Sequence, residues 1–578
     1  MLPALRSKAI ATYAVAIVCV AATADAARPA DTGSHAGHVQ GSRPHILMIL
    51  TDDYGWANAG WHRPEGYEEV QTPYMDALVK QGVELDRHYA YKFCSPTRSA
   101  LQSGRNPIHV NVQNLDPYNH NPDDPVGGFS AIPRNMTGIA AKMASAGYAT
   151  AMAGKWDAGM ATPDHTPKGR GYESSLIYFH HQNDYWDMEA GNAACKLENI
   201  TRPRDLWKSD ADSEGVASDM ANPLSECADS GLYSTNPDCV FEEYMFRDHL
   251  LDVIDHHDPD TPLFMFWAPH SVHSPLEVPK QYWDRFDFID TPARRDYHAL
   301  VTFMDEMIGN VTNALRDKGM WANTLVVFSS DNGGPIYYNG TGGANNFPLR
   351  GGKASNFEGG VRVNAWASGG VIPRSKVGSK LEGLITIWDW YATFCALAGV
   401  DPTDTRAAQA GLPPIDSIDM SGYLLGESNT SPRTQVELGS VEPLDKPQDL
   451  YGTKVPADVI VQGIIVDEGD QGLWKLVLGQ LSMNGWTGPQ WPNATTDWAA
   501  QNSWAECGVD TGCLFELRAD PTEHNDLADS FPEQVTKLRG MLERANATCY
   551  SPNRGKADKV GACTQVEENG GFWGPWLS

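Results

Sequence analysis

The sequence predicts an α/β protein: a large, mostly parallel central sheet flanked by helices, followed by a smaller C-terminal domain built on an antiparallel sheet. Three observations carry this. From Arg43 onward, short unalternating apolar runs are separated by helical stretches, as expected of strands buried on both faces. After about residue 430 the runs alternate apolar with polar residues, which marks half-exposed antiparallel strands. At 578 residues the chain can bury a large core, and two domains suit it.

Residues 1–26 read as a signal peptide. Arg6 and Lys8 form a short basic region, and the mostly apolar run from Ile10 to Ala22 is short for the roughly 20 residues of a spanning helix. Ala24-Asp25-Ala26 is a small-x-small cleavage site. Residues 27–43 form a flexible leader, residues 44–430 the main domain, and residues 431–578 the smaller one. No later segment is apolar enough to span a bilayer.

In the main domain the expected strands are "HILMIL" (45–50), "GYATAMAGKW" (147–156), "PLFMFWA" (262–268) and "TLVVFSSDNGG" (324–334). Helices are expected near "TPYMDALVKQG" and from about Arg294 to Lys318. In the smaller domain "TQVELGS", "VIVQGIIVDEG" and "LWKLVLG" read as antiparallel strands before a helix from about Pro532 to Ala547.

Cysteine usage points to export. With Cys19 in the signal peptide and Cys94 set aside, Cys195, Cys227, Cys239, Cys507, Cys513, Cys549 and Cys563 are loop cysteines suited to disulfides. Cys395, in "WYATFCALAGV", reads as a small apolar group in a buried helix. Two or three bridges are expected, Cys507 to Cys513 being the most local. Sequons at Asn135, Asn199, Asn310, Asn339, Asn429, Asn493 and Asn546 suit a glycosylated surface. These features place the chain in the secretory pathway, secreted or in a lysosome-like compartment.

Net charge excludes some partners. With 44 Lys+Arg against 73 Asp+Glu, the chain carries −29, which argues against nucleic acid and anionic membranes. An anionic substrate therefore requires a local cationic pocket.

In parallel sheets ligands sit beyond the carboxyl ends of the strands. There "HILMIL" runs into Asp52 and Asp53, "TLVVFSS" into Asp331 and Asn332, "PLFMFWA" into His270 and His273, and "YATAMAG" into Lys155 and Asp157. A bland reading exists for each, such as a helix cap or a turn. The four together point to one site. Asp52, Asp53, Asp331 and Asn332 are hard oxygen donors that suit Ca²⁺ or Mg²⁺; Ca²⁺ tolerates irregular geometry better.

"CSPTRSALQSGR", from Cys94, fits C-x-P-x-R-x-x-L-x-S-G-R and resembles the signature of type I, formylglycine-dependent sulfatases. The resemblance extends over most of the chain from about residue 43. It looks closest to the arylsulfatase B branch, which includes N-acetylgalactosamine-4-sulfatases, through "SVHSPLEVP", "LRGGKASNFEGGVRV", "LFELRADPTEHNDLA" and "GFWGPWL". It implies the alkaline-phosphatase-like fold and a formylglycine made from Cys94 by a formylglycine-generating enzyme while the chain is unfolded. It also implies one Ca²⁺ held by Asp52, Asp53, Asp331, Asn332 and modified Cys94. Arg98, Lys155, His273 and Lys353 match the family's catalytic cations, and His270 is a neighbour.

The implied reaction is hydrolysis of sulfate esters of carbohydrate, including glycosaminoglycan-like substrates, and of aryl sulfates. A hydroxyl of hydrated formylglycine attacks sulfur, Lys155, Lys353 and Arg98 neutralise the sulfate oxygens, and His273 or Lys353 protonates the departing alcohol. One position departs from the pattern. The family's G-K-W-H-x-G reads "GKWDAG", with Asp157 where a histidine assists sulfate release. Asp157, two residues from Lys155 and so on the same face, is expected to be the base of that second step; His165 is another substitute for the missing imidazole. The rival readings are a phosphoester hydrolase of the same superfamily and an impaired protein that binds sulfated glycans.

Overall fold

The computed structural model describes residues 43–578 except 64–66, 191–194, 196–201, 223–226, 228–231, 235, 337–341, 440–448, 451–452, 455–461, 498–502, 509 and 551. The expected signal peptide, the leader to residue 42, and the sequons at Asn199 and Asn339 lie outside the described residues. None of the described helices is long and apolar enough to cross a membrane.

The large sheet is built from β1 (His45–Thr51), β2 (Val83–Leu85), β3 (Ala149–Lys155), β4 (Ser174–Tyr178), β5 (Trp207–Ser209), β6 (Glu214–Val216), β7 (Leu263–Ala268), β8 (Thr324–Ser330), β9 (Ala365–Ser368) and β10 (Ser379–Leu381). Their spatial order is β10-β2-β9-β8-β1-β7-β3-β4-β5-β6. The central run from β8 to β4 is parallel. Antiparallel pairing enters only at β9 and β5, towards the edges. All seven residues of β1 are buried, which explains why its sequence does not alternate.

Successive β1 side chains serve opposite cores. Leu47 and Ile49 pack with Met75 of α1 (Pro73–Gln81), Phe246 and Leu250 of α3 (Glu242–His256), and Leu300 and Phe303 of α4 (Pro292–Asp317). On the other face Ile46, Met48 and Leu50 pack with Leu101 of α2 (Cys94–Ser103) and with Trp390 and Phe394 of α5 (Asp389–Ala398). Each such side chain contributes about 2 kcal/mol of transfer free energy. A strand anchored on both faces is a rigid base for the residues at its end.

The second sheet is antiparallel: β11 (Gln435–Leu438), β12 (Gln462–Asp467), β13 (Leu473–Leu481), β14 (Ala505–Cys507) and β15 (Cys513–Glu516), with both β14 and β15 on β13. Helix α6 (Pro532–Asn546) covers it, setting Val535, Leu538 and Leu542 on Ile464, Leu476 and Leu514. Buried Lys475 joins this sheet to the first, 2.9 Å from Glu358 and 2.8 Å from Glu523. Helix α7 (Lys559–Glu568) and the residues after it return to the large sheet, where Trp573 N donates to Arg204 O at 2.8 Å.

Three disulfides form: Cys195–Cys563, Cys227–Cys239 and Cys507–Cys513. Cys395 is an unbridged, buried thiol in α5. The first bridge ties α7 to the segment between β4 and β5 across a sequence separation of 368. By the chain-entropy account so long a loop is worth about 6 kcal/mol. Cys563→Ala is therefore expected to lower the denaturant midpoint clearly, whereas an unchanged midpoint in equilibrium unfolding would show that the constraint is inert.

Candidate active site

Register sets the site. Pairing of Thr51 with Ser330 places Asp52 and Asp53 beside Asp331 and Asn332 at the carboxyl edge. Asp331 N donates to Thr51 O at 3.0 Å, and Asp53 N donates to Asp331 Oδ1 at 3.2 Å. Lys155 ends β3. The residue before it, Gly154, has φ +95°, and a Cβ there would lie 1.9 Å from Ala268 O, so only glycine lets β3 and β7 approach this closely.

Cys94 opens α2, and its buried Sγ lies 3.5 Å from Asp52 Oδ1, 3.6 Å from Asn332 Oδ1 and 3.4 Å from Lys353 Nζ. Thr97 Oγ1 donates to Asp331 O at 2.6 Å, fixing the helix start against β8. Arg98 donates to Asp331 Oδ2 at 2.9 Å and lies 3.6 Å from Asp52 Oδ2. Lys155 Nζ is 2.7 Å from Asp52 Oδ2, Lys353 Nζ 2.6 Å from Asp53 Oδ1, and His273 Nε2 3.5 Å from Asp53 Oδ2. Every residue named from the sequence as metal ligand or catalytic group, Asp157 excepted, is thus in one buried cluster. His270 stands outside it: its Nδ1 is 2.8 Å from Glu242 Oε1, and its ring stacks on Tyr185.

Electrostatics divides the carboxylates. Burial opposes the charge of Asp52, but Lys155, His273, Arg98 and Lys353 together hold its carboxyl well below the usual range. Asp331 goes the other way, pushed up to about 7 by burial and by Asp52 and Asp53, against Arg98 and Lys155. Burial, with Asp331 and Asp52, also pushes the Cys94 thiol well above its ordinary value. Burial draws His273 down to about 4.

This donor set fits a hard divalent cation. Asp52, Asp53, Cys94 and His273 can each place a ligand atom within 4.8 Å of the others, and Asn332 turns its amide oxygen towards the same point. Burial, with the crowding of Asp52 and Asp53, raises Asp331, and a divalent cation at this point would offset the repulsion among the carboxylates.

Asp157 lies beside this cluster, at φ +47°. Its Oδ2 is 3.6 Å from Lys155 Nζ, and its Oδ1 accepts from Ser95 Oγ at 2.5 Å. Sequence reasoning missed the third neighbour: His181 Nδ1 lies 2.9 Å from Asp157 Oδ1. His165 does not reach the site. It is buried with Nδ1 2.9 Å from Thr162 Oγ1 and its ring against Phe129. The only signal for His181 in the sequence was the imidazole missing from "GKWDAG".

A sulfatase family model matches residues 44–400. Mouse arylsulfatase J is 29% identical over 572 residues, covering 94% of this chain and 82% of the relative. Human N-acetylgalactosamine-6-sulfatase is 29% identical over 391 residues, 66% of each chain. Among solved structures, that of Ps i-CgsB in complex with k-i-k-neocarrahexaose superposes with a TM-score of 0.64 at 22% identity, covering 91% of this chain and 98% of its own. The last shares the fold, and the family match spans most of the main domain, including all the clustered residues. The chain belongs to the sulfatase family and is a sulfuric ester hydrolase.

Proposed function

We propose that the chain removes sulfate from carbohydrate esters, and from aryl sulfates, using residue 94 as formylglycine and Ca²⁺ held by Asp52, Asp53, Asp331, Asn332 and residue 94. The observation that carries this is the state of Cys94. It is the unbridged thiol at the centre of the site, in a chain with three disulfides, and burial beside two carboxylates suppresses the thiolate it would need as a nucleophile. The side chain becomes useful only after conversion to the aldehyde, which must precede burial. That requires a formylglycine-generating enzyme in the secretory pathway, with the mature protein secreted or in a lysosome-like compartment; the disulfides suit such oxidising surroundings.

When bound, Ca²⁺ supplies the charge that acidifies a hydroxyl at residue 94, and formylglycine supplies that hydroxyl. The chain's own residues do the rest. Lys155, Lys353 and Arg98 surround residue 94 with ammonium and guanidinium groups that bind sulfate oxygens as their charge grows. Lys353, beside Asp53, offers the N–H group for the departing alcohol, and His273 on the other side of Asp53 shares that role only when protonated. Asp157, ionised beside Lys155, takes the proton of the second step.

The names N-acetylgalactosamine-6-sulfatase and neocarrahexaose, among the similar proteins, support a saccharide substrate. The test is mass spectrometry of the peptide containing residue 94, paired with sulfate release from defined sulfated oligosaccharides and from matched phosphate esters. We expect an aldehyde and a preference for sulfate. An unmodified thiol throughout fully active protein would overturn the mechanism.

A further inference from the structure

Asp157 alone is a weak base for its assigned task. Burial opposes its charge, but His181, then Lys155 and Arg98, hold it down at about 2. A proton placed on so acidic a carboxyl does not stay. The geometry offers a second acceptor. His181 Nδ1 is 2.9 Å from Asp157 Oδ1, on the segment that follows β4.

Asp157 Oδ2 is buried and accepts no hydrogen bond among the described residues, so one oxygen faces His181 while the other is open to a proton. Neither ring nitrogen of His181 makes a well-aligned hydrogen bond among the described residues: Nδ1 is in ion-pair contact with Asp157 Oδ1, and Nε2 has no partner, with the side chain 22% exposed. The charged groups that face this imidazole are Asp157 and Lys155 at the end of β3 and Asp116 from the loop after α2. Against the lowering effect of burial and Lys155, the two carboxylates raise its affinity for a proton. The imidazole therefore sits at the outer end of a short acidic path leading away from residue 94.

We propose that His181 is the positioning residue that completes the base of the second step, with Asp157 relaying to it the proton released at residue 94 as sulfate departs. The proposal rests on the formylglycine reading above. In the step, the O–H bond at residue 94 breaks and an O–H bond forms at Asp157. Rotation of the protonated Asp157 carboxyl turns that O–H from the open oxygen towards His181, where it breaks as an N–H bond forms at Nδ1. His181 regains neutrality by losing its Nε2 proton to water, and exchange of the remaining N–H with water returns the tautomer with a bare Nδ1 before the next turnover; no redox partner is involved. The imidazole absent from "GKWDAG" is thus restored one carboxylate further out. Because His181 must be neutral to accept, turnover should fall as pH drops through the value at which it charges, and that value lies above the ordinary 6.5.

Two measurements test this, one of them independent of activity. In ¹⁵N-histidine NMR of the chain with Cys94 unmodified, the imidazole signal lost in His181→Asn should titrate above the ordinary histidine range and move down by about one pH unit or more in Asp157→Asn. An imidazole that titrates alike in both backgrounds would overturn the pairing. In the aldehyde-bearing enzyme, His181→Asn keeps an N–H towards Asp157 but cannot titrate. It should lower kcat at least about tenfold with KM little changed, lose the acidic limb of the pH profile, and keep a burst of one alcohol per enzyme. Full turnover in this variant would reduce His181 to a hydrogen-bond donor and sink the relay. Failure of the parent reading is separable: the residue-94 peptide of active wild-type protein would then carry an unmodified thiol, whatever the His181 variant does.

Discussion

Cys94→Ala protein is expected to fold and to lose turnover by a factor on the order of 10⁴ to 10⁶, the range seen when a covalent nucleophile is removed. The loss follows from position. Sγ lies within 3.6 Å of Asp52, Lys353 and Asn332, so nothing else can occupy the point on which these groups converge. Stability should change little, by about 1–2 kcal/mol, because one small buried side chain is shortened and the backbone of α2 is still held by Thr97. Steady-state aryl sulfate hydrolysis and thermal melting, measured on the same preparation, check both halves. Residual activity within tenfold of wild type would remove residue 94 from the chemistry.

Removing the divalent cation is the second large perturbation. At a thousandfold excess over its dissociation constant, a cation that binds only the folded chain stabilises it by about 4 kcal/mol. Chelation should cost a comparable amount along with the activity, and Asp53→Ala should act similarly. The pH dependence of the chelated protein has a definite sign. Asp331 has its folded value raised to about 7, so the stability from keeping it protonated is complete below about pH 4 and is lost as pH rises through 7. Chelated protein should accordingly melt lower at pH 8 than at pH 5.5, and added Ca²⁺ should close that gap. Equal melting temperatures with and without chelator at both pH values, after exchange long enough to strip a slow site, would refute a functional cation.

Much of this was legible because the physics is local. β1 and β8 are apolar runs buried on both faces that stop at acidic residues, so their ends and contents are visible in the sequence. The long helix expected from Arg294 to Lys318 forms as Pro292–Asp317, with proline at its first turn. Strands β5 and β6, three residues each, are too short to show any period. The partner of Asp157 was illegible for a different reason. His165 is nearer in sequence than His181, but side-chain direction decides, and His165 turns to Thr162. The return of α7 towards the large sheet is reinforced by the Cys195–Cys563 bridge, and connectivity across a separation of 368 residues leaves no local mark.

The route of the final residues has a consequence for biosynthesis. Trp573 packs on His180, the neighbour of His181, with ring centroids 4.8 Å apart, and it joins the core that holds α2. This part of the wall cannot exist until Trp573 has emerged, roughly 480 residues after Cys94, which at 5–20 residues per second is on the order of a minute of translation. Throughout that interval the segment around Cys94 lacks part of its final enclosure. Under the formylglycine reading proposed above, the late-arriving carboxyl end would act as a timer, holding open the period in which a modifying enzyme reaches the thiol before the folded chain closes over it.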